Sequence, residues 1–176
     1  MSEESSRERS RREEGDLITQ RTTVREAVGT EATRPCVVDE GAELVRICEQ
    51  LGEAPGVDVV AVVDDARRLR GIIPVRLLLD ELFLHVAPED FLNDLRAMEG
   101  VEEFGKLSRA RSARDLMQPA VYVTMDESVR EAFSRMHERR LEGLLIVDKD
   151  MHVVGYLSRL QLIRLWLQKH GRELGV

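Results

Sequence analysis

Apolar runs and charged turns follow one another in the same order twice along the chain. Val59 to Val63 is a continuous apolar run, followed by the polar turn Asp64-Asp65-Ala66-Arg67 and a second short run, Leu69 to Ile73. Leu144 to Val147, the turn Asp148-Lys149-Asp150-Met151 and Val153 to Leu157 repeat that order. Short runs rich in Val, Ile and Leu predict strands covered on both faces. Ahead of each first strand the apolar positions switch to a helical period. Leu44, Ile47, Cys48 and Leu51 stand at i, i+3, i+4 and i+7, and so do Val129, Ala132, Phe133 and Met136. Behind each second strand a further helix is predicted, over Val75 to Leu84 and Ser158 to Lys169.

The halves also begin alike. Thr23 and Ser112 are N-cap residues for short helical turns, Val24 to Val28 and Ala113 to Met117. Each turn leads to a proline, Pro35 or Pro119, and a short extended segment, Cys36 to Val38 or Val121 to Val123. Asp126 or Glu127 with Ser128 places acids and a cap at the start of the second-half helix, where the helix dipole favours them. Asp64 and Asp148, Gly71 and Gly155, and Leu78 and Leu162 recur at one constant spacing. A module used twice implies two similar surfaces meeting across a pseudo-twofold axis, and ligand clefts form at such internal interfaces.

The organisation read from these patterns is a charged arm over 1–21, disordered or helical, then a first repeat over 22–86. A connector over 87–111 follows, with a helix on Phe91, Leu95 and Met98; then come a second repeat over 112–170 and a tail over 171–176. Lys106 to Arg114 carries four basic residues and reads as a solvated connector or as a basic rim for an anionic partner.

Composition narrows the function. With 43% hydrophobic residues in 176 a folded chain is expected, but only 4% are aromatic, so the core is aliphatic and base-stacking platforms are scarce. The net charge of -7 also opposes a nucleic-acid role, which needs a basic field. Cys36 and Cys48 form no CxxC pair or Cys/His cluster, and Cys48 lies on an apolar helix face as a buried thiol. No apolar run is long enough for a membrane span, and no apolar signal segment opens the chain, so the cytoplasm is the expected compartment. The four histidines are scattered, no calcium-loop pattern continues from Asp148 and Asp150, and no metal site is expected. No glycine-rich phosphate loop, nucleophile elbow or Ser/His/Asp arrangement occurs, so no catalytic residue and no required cofactor are expected.

The residues Val57-Asp58-Val59-Val60-Ala61-Val62-Val63-Asp64…Gly71 and Leu141-Glu142-Gly143-Leu144-Leu145-Ile146-Val147-Asp148…Gly155, in that order and duplicated, resemble a tandem pair of cystathionine-β-synthase (CBS) domains, the regulatory Bateman module. Asp115-Leu116-Met117-x-Pro119 and Gly155-Tyr156-Leu157-Ser158 fit the same family. The resemblance implies a mixed α+β or α/β fold: two pseudo-symmetric βαββα repeats packed sheet to sheet, with helices outside. It further implies a homodimer, a regulated enzyme or transporter as partner, and adenosine-containing ligands (AMP, ADP, ATP, S-adenosylmethionine or NAD) between the repeats.

The family's ribose-recognition pattern is Gly-x-x-Thr/Ser-x-x-Asp. A hydroxyl sits at a helix N-terminus that favours phosphate, and a carboxylate one turn on accepts the ribose hydroxyls. The second repeat reads Gly155-Tyr156-Leu157-Ser158-Arg159-Leu160-Gln161, with an amide in place of the acid. The first reads Gly71-Ile72-Ile73-Pro74-Val75-Arg76-Leu77, without hydroxyl or acid, and no ordinary nucleotide site is expected there. Pro74 reads as the first residue of the following helix. The implied ligand residues are Val121 and Val123 beside the adenine, Gly143 and Leu144 through backbone groups, and Ser158, Arg159 and Gln161; Arg139 and Arg140 are further phosphate candidates. Each has a structural alternative: core for the valines and Leu144, a helix cap for Ser158, a solvated helix position for Gln161, and exposed ion pairs for the arginines. The function expected is a module sensing an adenine nucleotide, mainly through the second repeat. The alternative is a dimeric interaction scaffold with degenerate sites.

Overall fold

Capping hydroxyls and β-rich apolar runs divide the chain into short, sharply bounded elements. The computed structural model describes residues 22–29, 33–86 and 111–170. The charged arm, the connector helix expected on Phe91, Leu95 and Met98, and the tail lie outside the described residues.

The first repeat contains α1 (Val24–Val28), β1 (Cys36–Asp39), α2 (Leu44–Gly52), β2 (Val59–Val63), β3 (Leu69–Pro74) and α3 (Val75–Val86). The second contains α4 (Ala113–Leu116), β4 (Gln118–Pro119), β5 (Tyr122–Thr124), α5 (Val129–Arg139), β6 (Gly143–Val147), β7 (Val153–Ser158) and α6 (Arg159–His170). The expected caps form. Thr23 accepts from the Glu26 amide, and Ser128 forms a reciprocal capping box with Glu131. Pro74 ends β3, paired with Val59, instead of opening the helix. Its missing N–H costs nothing at a strand end, and the helix opens instead at Val75, whose N–H donates to the Asp58 carbonyl at 2.9 Å.

Two sheets result, one in the order β1-β2-β3-β4 and the other β5-β6-β7. In each, the first strand pairs parallel with the second, and the second antiparallel with the third. The similarity extends to irregularities. Both hairpins slip register at matching places, Val62/Val63 and Ile146/Val147. Both turns hold a non-glycine residue in the left-handed region, Arg67 at φ 62° and Met151 at φ 68°.

The repeats are not self-contained. β4 belongs by sequence to the second repeat yet pairs with Gly71 and Ile72 of the first sheet. Reciprocally, Thr33 of the first repeat bridges to Tyr156 of the second. The opening helices exchange in the same way. Val24 and Arg25 donate backbone N–H groups to Glu127 and Met125, each at 2.9 Å; Ala113 and Arg114 donate to Ala42 and Glu40 at 2.8 and 2.9 Å. Near the axis Arg68 bridges to His152, its own counterpart, and the Leu69 N–H donates to the Met151 carbonyl at 2.9 Å.

A single aliphatic core runs through both sheets. Val60, Ala61, Val62 and Ile73 on one side and Leu144, Leu145, Ile146 and Leu157 on the other are fully buried. Each larger side chain contributes about 1.5–3 kcal/mol by leaving water, and the crossed N-terminal segments make either half's burial depend on the other.

Candidate functional site

The corner where β6 begins and β7 runs into α6 gathers the second-repeat candidates. Gly143 pairs with Ser158 across the ladder. The Arg159 N–H donates to the Glu142 carbonyl at 3.0 Å, which ties the helix start to the strand start. Ser158 and Gln161 form a reciprocal cap: the Gln161 N–H donates to Ser158 Oγ at 3.2 Å, and the Ser158 N–H donates to Gln161 Oε1 at 2.8 Å. The amide carbonyl that stands where the family has a ribose-binding acid is thus engaged by the chain itself.

The other candidates divide between two faces. Side chains alternate along a strand, and paired residues share a face. Gly143, Tyr156 and Ser158 therefore share one face, turned to the first repeat, as the bond from Asp58 to Tyr156 shows. Val123, paired with Ile146, and Leu144, paired with Leu157, share the opposite face and are fully buried in the core. Val121, half-buried, precedes β5. The Arg159 guanidinium pairs with Glu142 at 3.0 Å, both side chains well exposed, an ion pair worth at most about 1 kcal/mol. Arg139 and Arg140 are exposed at the end of α5.

Two residues not singled out by motif reading dominate the corner. Tyr156 is completely buried, and its phenol oxygen accepts the Asp58 N–H at 3.1 Å, linking the repeats. The phenol occupies the space above Gly143: a Cβ there would lie 2.1 Å from the Tyr156 oxygen. Burial, aided by the charges of Asp58 and Glu142, overrides the bond from the Asp58 N–H and pushes this phenol up to about 12. Asp58 is held above the ordinary carboxylate range, first by burial and then by the charge of Glu142. The sequence signal was available. Asp58 and Glu142 precede β2 and β6 at the repeat spacing, and a glycine replaces the Val59 of the first repeat where Tyr156 leans over.

Asp148, Asp150 and His152 bring potential donor atoms within 4.8 Å of one another. A turn accounts for the cluster. Asp148 Oδ1 accepts the N–H groups of Asp150 and His152, both at 2.9 Å, and Oδ2 lies 3.3 Å from His152 Nδ1. Asp64 holds the Arg68 N–H at 2.9 Å in the matching turn.

A concavity lies between α5 and α6. It measures about 750 Å³ and is walled by Val129, Phe133, Met136, Leu162, Ile163 and Trp166, with Arg130, His137 and Arg159 also lining it.

Residues 113–167 match the family model of the CBS domain. A CBS domain-containing protein from Thermotoga maritima superposes with a TM-score of 0.67 at 25% identity, covering 84% of this chain and 95% of that one. The chain has the fold of a tandem pair of CBS domains, and its second half matches the CBS domain itself. The pair is also similar to CBSX2, a protein of Arabidopsis thaliana solved in complex with AMP (TM-score 0.59, 24% identity, 84% of this chain and 97% of that one). It shares its fold with the CBS domain pair of MJ0100, solved with 5-methylthioadenosine and S-adenosyl-L-methionine (TM-score 0.59, 17% identity, 84% and 98% covered). No curated protein sequence matches the CBS pair. Among the described residues no helix is long and apolar enough to cross a membrane.

Proposed function

We propose that this CBS pair is a regulatory module that binds an adenosine-containing ligand, AMP-, ADP- or ATP-like or a relative, at the Gly143–Ser158 corner of its second repeat. The observation that carries the reading is the meeting of three features there: a hydroxyl at a helix start, a glycine edge, and the Tyr156–Asp58 link that joins the corner to the first repeat. Occupancy of such a seam changes how the repeats hold each other, which is the kind of change a partner enzyme or transporter in the cytoplasm reads. CBSX2 with AMP and MJ0100 with its adenosine ligands support the ligand class.

The test is thermal unfolding against a panel of adenosine, AMP, ADP, ATP, NAD, 5-methylthioadenosine and S-adenosylmethionine. A ligand at 100 times its Kd stabilises by about 2.7 kcal/mol. Ser158→Ala also removes a helix cap, so its readout is the ligand-dependent increment, expected to shrink, and not the starting melting temperature. No shift from any panel member at millimolar concentration ends this reading. The second reading, a dimeric scaffold with degenerate sites, is favoured by one observation, the open apolar groove between α5 and α6.

A further inference from the structure

The two repeats share a fold but not a surface charge. α6 carries Arg159 and Arg164 and no acid. α5 carries Arg130, Arg135 and Arg139 against Glu131 and Glu138, with Arg140 at its C-cap. The corresponding helices of the first repeat are biased the other way. α2 has Glu49 against Arg46, between Glu43 and Glu53 at its two caps, and α3 has Asp80 and the buried Glu81 against Arg76. Some of these charges already pair within the chain: Arg135 with Glu127, Arg159 with Glu142, and Arg46 with Glu49. The imbalance survives the pairing. Arg139, Arg140 and Arg164 are exposed on the second repeat, and Glu43, Glu53 and Asp80 on the first.

The apolar relief is divided in the same way. The groove between α5 and α6 has Phe133, Ile163 and Trp166 on its walls, and Arg130 and Arg159 among its lining. The first repeat projects Val45 and Leu79, 68% and 63% exposed. Each projection has an acid beside it. Glu49 lies one turn on from Val45, on the same face of α2, and Asp80 follows Leu79. Two copies meeting head to head would set arginines against arginines across the groove. Like charges facing each other across an interface cost affinity, and unlike charges fix its register.

We propose that this groove takes the α2–α3 face of a second copy, so that two chains join head to tail. Val45 and Leu79 of one copy then enter the apolar groove of the other, and their flanking acids meet its arginines. A twofold axis makes the same contact twice and covers both outer faces at once. The proposal rests on the dimer of the second reading above and specifies its arrangement; it needs no ligand.

The experiment cross-links full-length chains and follows dimer affinity against salt by sedimentation. Leu79→Cys and Ile163→Cys chains of distinguishable mass are mixed and treated with a short bismaleimide, with wild type as the blank for Cys48. The mixed Leu79→Cys to Ile163→Cys product is expected to dominate, with no Ile163→Cys self-product above the blank. Wild-type dimer affinity is expected to fall about threefold or more as salt rises from about 0.05 to about 0.5 M, because opposite charges at the rim are screened. A dimer that gives no mixed product, that joins Ile163→Cys to itself, or that holds or tightens with salt overturns the head-to-tail arrangement and leaves the dimer standing. A chain that stays monomeric at high concentration removes the dimer, and this arrangement with it.

Discussion

A single glycine and the tyrosine above it show how closely the second repeat is fitted to the first. Gly143 is buried, and an added methyl would collide with both the oxygen and the ring of Tyr156, at 2.1 and 2.3 Å. The tyrosine has little freedom to retreat, since its oxygen is held by Asp58 and the side chain is fully enclosed. Gly143→Ala is therefore expected to lower stability by about 1–3 kcal/mol, the usual cost of overpacking, as read by urea unfolding. Pairing it with Tyr156→Leu should recover part of that loss, because the ring that meets the methyl is gone. A Gly143→Ala chain as stable as wild type would show that Tyr156 does not occupy this space. Cys36 illustrates the bland outcome of burial. Its thiol is pushed up to about 11, by burial and then by Glu53, which leaves it protonated and unreactive at neutral pH.

At the scale of elements, charge does its work where α5 begins. Burial acts to raise the Glu127 carboxyl, but bonds from the Arg135 guanidinium and from the Thr124 N–H at 2.6 Å outweigh it and hold the group below its ordinary 4.5. Arg135 also donates to the Tyr122 carbonyl at 2.7 Å, so the pair clamps α5 to β5. An acid with a depressed folded-state pKa stabilises above its unfolded value, and that contribution disappears as pH falls through the folded one. Glu127→Gln should thus cost about 1 kcal/mol at neutral pH. The gap to wild type should close as pH falls below 4.5. A gap independent of pH would mean that packing, not charge, holds this corner. The Glu127 carbonyl accepts the Val24 N–H as well, so the same loop anchors the first repeat's opening helix.

For the whole molecule, the outer helix faces are the unfinished surface. Phe133, Leu160, Ile163, Trp166 and Leu167 are about half exposed on α5 and α6, and Val45 and Leu79 are exposed on the corresponding helices of the first repeat. Apolar faces on both repeats suit a second copy that covers them with its own matching helices. Trp166 is the chain's single tryptophan, so its fluorescence reports on this face alone. Wild type is expected to sediment as a dimer well above micromolar concentration, with Trp166 emission shifting to the red on dilution. Ile163→Glu, a change at an exposed position, should give a folded monomer whose emission is already red-shifted. A wild-type monomer at high concentration would remove the dimer and leave the face for another partner.

Repetition, apolar period and capping hydroxyls belong to local sequence, and they were sufficient for every strand but β4, the helices among the described residues, the caps at Thr23 and Ser128, and the two-repeat class. Local interactions act over a few residues and need no knowledge of what lies opposite. The exchange of α1 and α4 between repeats, the capture of β4 by the first sheet, and the meeting of Asp58 with Tyr156 depended on groups far apart in the chain. Only folding brings those groups together, because a backbone N–H or a ring-sized space at an unpaired edge has no fixed partner until the opposite repeat supplies one. Ser158 and Gln161 lie on the boundary between these cases. Their spacing fits a helix cap with or without a ligand contact; the folded chain forms the cap, and the ligand contact is the part that the unfolding panel tests.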